Sequence, residues 1–135
     1  MDIMLSLQGL GNFLAYFAIA LVAEAVFVWL YMLVTPHHEA ALIKNGNTAA
    51  AVSLGGAVIG FTLPLGSAVI GSISLLDMAI WASIALVVQV IVFLVASRIL
   101  RGLSARIESG DLAAGVTLAA ASIAIGILNA ASMTY

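Results

Sequence analysis

The chain predicts an all-α integral membrane protein of four transmembrane helices, arranged as a tandem duplication of a two-helix hairpin. Three observations carry this fold class. Hydrophobic residues make up 64% of the 135 positions and charged residues only 7%, against about 25% charged in a soluble domain, so the chain lacks the polar surface to cover itself in water. The apolar residues fall into four runs of about 20 positions, the length of helix that crosses about 30 Å of hydrocarbon. The sequence also repeats itself: Ile19-Ala-Leu-Val-Ala-Glu24 returns as Ile84-Ala-Leu-Val-Val-Gln89, an offset of 65, and Ile43 to Ile59 returns as Ile107 to Ile123, an offset of 64. A period this long marks a repeated structural unit, here one apolar run, a polar connector and a second apolar run. The expectation is one membrane domain over 1–135, with repeat one at about 13–73 and repeat two at about 78–135.

The first span is expected over about 13–34, and it follows Met1-Asp2 with no basic segment ahead of it. It is too long for a signal-peptide core and reads as a retained span. The second is expected over about 48–70, the third over about 78–96 and the fourth over about 112–133. All four basic residues lie in or beside the two connectors: Lys44 in the first, and Arg98, Arg101 and Arg106 in the second. The positive-inside rule therefore puts both connectors in the cytoplasm and both termini in the periplasm. Each repeat has an even number of spans, so both copies insert the same way up, as parallel repeats.

Each connector reads as a short interfacial helix. Thr35-Pro36 suits a helix start, and Leu100, Leu103 and Ile107 form an apolar stripe opposed by Arg101 and Glu108. Gly46 and Gly110 can close these helices at positive φ, after which Asn47 and Asp111 can cap the spans that follow. Spans one and three are bulky and are expected to face lipid. Spans two and four carry small residues, Gly56 and Gly60 in one and Ser122, Gly126 and Ala130 in the other, at the four-residue spacing that lets helices approach closely in a membrane. They are expected to be the packing helices, with enough small-residue surface to support a homo-oligomer.

The segments Thr35-Pro36-His37-His38-Glu39 and Leu42-Ile43-Lys44-Asn45-Gly46-Asn47-Thr48-Ala49-Ala50, with Ile84 to Gln89 and the closing Asn129-Ala130-Ala131-Ser132-Met133-Thr134, resemble the YjfL-like family of small bacterial inner-membrane proteins, classed as domain of unknown function 350. The resemblance covers nearly the whole chain. It implies a duplicated two-span unit in the inner membrane, in members often encoded beside PspA-like membrane-stress proteins and ATP-grasp ligases, and hence a cytoplasmic stress-response partner. It implies no activity. Glu24 lies outside the residues that carry it.

Candidate chemistry is sparse. Glu24 falls near the middle of span one, where a carboxylate costs about 2.5 to 3.5 kcal/mol to insert. It reads either as a proton- or cation-binding site with Gln89 beside it, or as a protonated carboxyl hydrogen-bonded to Gln89 or another subunit. Pro64 interrupts span two and frees the Gly60 carbonyl, with Thr62 placed to satisfy it; Ser67 and Asn129 add to this polar set. Broken helices beside polar groups are where membrane proteins hold ions or solutes. His37, His38 and Glu39 form no metal set, because neighbours on a short helix point apart, and read as a surface pair that charges in acid. Lys44, Arg101 and Arg106 suit anionic headgroups or a partner.

The net charge of −2 argues against a nucleic-acid partner, and the absence of cysteine removes thiol chemistry and disulfides. No nucleophile and base converge, so no enzyme, metal or cofactor is expected. Two functions remain: an oligomeric structural component that recruits partners, and a small proton or cation conduit lined by spans two and four.

Overall fold

The computed structural model describes residues 2–133, so the outermost ends of the expected 1–135 domain and of the expected second repeat lie outside the described residues. These residues fold into six helices: α1 (Ile3–Val34), α2 (Glu39–Lys44), α3 (Thr48–Gly71), α4 (Leu75–Ile99), α5 (Leu103–Glu108) and α6 (Leu112–Ser132). The order long, short, long thus occurs twice, and the four long helices are each long and apolar enough to cross a membrane.

α1 begins ten residues before the expected boundary. The Asp2 carboxylate accepts the Met4 amide at 3.0 Å and caps the helix there, and nothing between Ile3 and Phe13 is strong enough to end it. At 32 residues α1 is about 48 Å long at 1.5 Å per residue. Only Phe27 and Tyr31 on it are buried. Phe27 stacks on Phe61 of α3 with centroids 4.6 Å apart, and Tyr31 meets Phe93 of α4 edge-on at 5.6 Å. α1 is therefore fastened by aromatic rings near its C-terminal end.

The core of the fold is α3 against α6, as the small-residue pattern predicts. A Cβ built on Gly56 would collide with Ala119, one on Gly60 with the Ser122 carbonyl, and one on Gly126 with the carbonyl oxygen of Gly60. A Cβ on Gly115 would lie 2.5 Å from the Ala49 carbonyl oxygen. Backbones this close exchange Cα–H···O contacts. Gly56, Gly60, Ser122 and Gly126 are all buried and Ala130 half-buried, so the small residues are used within one chain. Little of their surface is left over for a second copy. Of the bulky spans, α1 does face outward, whereas α4 buries Met78, Ala82, Ala85, Gln89 and Phe93.

At the connectors, Thr35 does not start a helix. It closes α1, its amide donating to the Tyr31 carbonyl at 3.0 Å, with its hydroxyl oxygen also 3.0 Å from that carbonyl. The proline that follows excludes the helical region for Thr35, which adopts φ −75°, ψ 130°. α2 starts only at Glu39. Gly46 and Gly110 both take φ +85° and end the short helices as expected. Asn47 then caps α3 through the Ala50 amide, and Asp111 caps α6 through the Ala113 amide. Gly102, at φ +69°, opens α5.

Candidate functional site

The most concentrated chemistry lies between the two connectors. His37 and Glu39 are each 1% exposed, which overturns the expectation of a surface histidine pair for His37, whereas His38 is exposed. His37 is not on a helix, so the rule that neighbours diverge does not reach it; its Nε2 lies 3.3 Å from Oε1 of Glu39. The same carboxylate oxygen accepts the Thr35 hydroxyl at 2.5 Å. The opposite ring nitrogen of His37, Nδ1, is 3.0 Å from the Ser104 hydroxyl on α5. Oε2 of Glu39 and the Tyr31 hydroxyl are buried with no hydrogen-bond partner. Burying polar atoms without hydrogen bonds is costly, and Nε2 of His37, which has no hydrogen-bond partner either, lies beside the Glu39 carboxyl.

Asn47 provides a second tie. While its carbonyl caps α3, its amide donates to the carbonyls of Ile107 at 2.8 Å and Glu108 at 3.2 Å. Beside it Arg106 donates to Asp111 at 2.8 Å, and this hydrogen bond is the main reason that the Asp111 carboxyl is held below the usual aspartate range. The two connectors are thus joined by side chains from both, with Leu103 and Ile107 buried beneath. Lys44, Arg98 and Arg101 are exposed, and no ion pair engages them among the described residues.

The intramembrane residues do not gather into one site. Glu24 accepts the Thr62 hydroxyl at 2.9 Å, not a bond from Gln89. Gln89 is buried and donates to the Ser122 carbonyl at 3.2 Å, leaving its own Oε1 without a partner. Thr62 also donates to Val58 at 2.7 Å, so it does not satisfy the carbonyl freed by Pro64; that oxygen faces Gly126 instead. Pro64 is buried within an unbroken α3. Ser67 is half-buried, and Asn129 makes one long contact, 3.5 Å, to the Ala85 carbonyl.

Sequence reasoning missed the burial of His37 and Glu39, the role of Ser104, and the cross-link from Asn47. One signal was available for the first. At the offset of 64 that relates the connectors, Glu39 falls on Leu103, a buried anchor of α5. That register gives Glu39 the place that the buried Leu103 has in α5.

Comparison with known proteins agrees with the fold. UPF0719 inner membrane protein YjfL of Escherichia coli strain K12 is 41% identical over 129 residues, covering 96% of this chain and 98% of that protein. The protein of the same name from Escherichia coli O157:H7 matches to the same extent. No solved structure matches the chain. The family model for Domain of Unknown Function (DUF350) matches residues 4–133, from the first turn of α1 to the residue after α6, and the chain belongs to that family.

Proposed function

We propose that this chain is a non-enzymatic scaffold of the bacterial inner membrane, which assembles with copies of itself and presents a rigid cytoplasmic platform to a partner. The observation that carries this reading is the joining of the connectors: His37 to Ser104 and Asn47 to the end of α5 fix α2 and α5 against each other. A fixed face that carries the exposed Lys44 suits recognition of an acidic surface more than it suits a moving gate. The cytoplasmic placement rests on the positive-inside rule. The family resemblance supports a stress-response protein as that partner.

Self-assembly is supported by Glu24. Glu24 is half-buried and its carboxyl bonds to the exposed Thr62. On a face otherwise given to lipid, a carboxyl is costly, and a polar group from a second copy would cover it.

The same residue favours the second reading, a proton or cation conduit. Against it, Glu24 and Gln89 belong to separate hydrogen-bond sets. Reconstituted vesicles holding a pH-sensitive dye decide between the two. The scaffold reading expects no dissipation of an imposed gradient above that of empty vesicles, from a discrete oligomer in nanodiscs. Flux that Glu24→Gln abolishes would overturn it in favour of the conduit.

A further inference from the structure

Between α4 and α6 runs an apolar groove of about 500 Å³. Its α4 wall is Val88, Ile91, Val95 and Ile99, a helical stripe, and its α6 wall includes Ala121 and Ile125. The one polar side chain along it, Thr117, donates its hydroxyl to the Ala113 carbonyl at 2.7 Å. The groove therefore offers nothing to a polar ligand along its length. Its end is different. Arg98 continues the stripe of Ile91 and Val95 by helical spacing, and Arg101 is next in the chain to Leu100, the last lining residue on the α4 side. Both arginines are exposed and no ion pair engages them among the described residues.

We infer that this groove is a specific site for one anionic phospholipid, an acyl chain lying between α4 and α6 and the phosphate headgroup held by Arg98 and Arg101. The dimensions agree. From Val88 to Leu100 the chain rises about 18 Å, close to the ~15 Å of one leaflet of hydrocarbon, so the groove runs about the length of one acyl chain. Guanidinium groups bind phosphate oxygens through paired N–H donors. A second copy of the chain is the poorer occupant, because it has little acid to bring to these arginines. Glu39 is buried, Asp111 is paired to Arg106 and Glu24 to Thr62. Asp2 and Asp77 lie at the opposite helix ends, which leaves Glu108.

Native mass spectrometry of the full chain in detergent, titrated with phosphatidylglycerol or with phosphatidylcholine of identical acyl chains, tests the site. One phosphatidylglycerol should be retained in preference. Arg98→Gln and Arg101→Gln should each weaken that retention about fivefold and in combination erase the preference between headgroups, while Ala121→Phe, which fills the groove, should lower retention of both lipids. Glycerol phosphate, which has the headgroup charge and no chain, should not compete. Equal retention of the two lipids, or a preference that survives loss of both arginines, overturns the proposal. So does an Ala121→Phe variant that changes the oligomer but not the lipid. If that variant does not fold, the exposed arginine pair alone still decides.

Discussion

The contact of α3 with α6 makes a prediction about sign. Alanine has a better helix propensity than glycine by about 0.8 to 1 kcal/mol, so Gly→Ala in an open helix position should stabilise. Gly55 and Gly66 are such positions, with nothing within 4 Å of a built Cβ. Gly115 is not: its Cβ would lie 2.5 Å from the Ala49 carbonyl oxygen where ordinary contact begins at 3.4 Å, so a backbone must retreat by about 0.9 Å. At Gly60 and Gly126 the obstruction is closer still and is again backbone. Overpacking of this kind costs about 1 to 3 kcal/mol. Because the propensity gain is common to every site, comparing the two sets isolates that steric cost. Gly55→Ala and Gly66→Ala should raise stability by up to about 1 kcal/mol, and Gly60→Ala, Gly115→Ala and Gly126→Ala should fall about 1 to 3 kcal/mol below them. Reversible unfolding in mixed micelles of rising SDS fraction, followed by tryptophan fluorescence, reads the difference. A Gly126→Ala protein as stable as Gly66→Ala would show that the helices do not meet through these backbones.

The buried pair and the charged cap give two further tests by the same unfolding assay. His37→Ala should cost about 3 to 5 kcal/mol by leaving Glu39 without its neighbour, whereas the double change His37→Leu, Glu39→Leu, which restores the apolar character that Leu103 has in α5, should be neutral or stabilising; equal losses from both would refute the pair. Asp111 has its folded carboxyl held low by Arg106, so its contribution is complete above the unfolded value of about 3.9 and disappears as pH falls through the folded value. The unfolding midpoint should therefore drop on acidification below about pH 4, with a shallower slope in Asp111→Asn, which keeps the cap and cannot ionise; an unchanged slope would remove Asp111 from the account.

The features that could be read from sequence are those whose causes are local. Gly46 and Gly110 end their helices because glycine alone tolerates φ near +85° at little cost, and Asn47 and Asp111 cap because a short acceptor precedes free amides; neither needs knowledge of a distant residue. The start of α2 lies at Glu39 and not at Pro36, although the cause is also local: Pro36 favours a helix start at its own position, but it also forces Thr35 out of the helical region, and the end of α1 takes that residue first. The burial of His37 and Glu39 is of another kind. It depends on Ser104, 67 positions away, and on how α5 seats against the rest. The repeat carried part of that information through the register of Glu39 with Leu103, but equivalence in a repeat is not adjacency in space. Glu24 and Gln89 stand at equivalent positions of α1 and α4, and each bonds elsewhere, one to Thr62 on α3 and the other to Ser122 on α6. The partner of a polar residue is supplied by the helix it packs on, and here that helix is α3 or α6, whose glycines first decide how closely anything can approach.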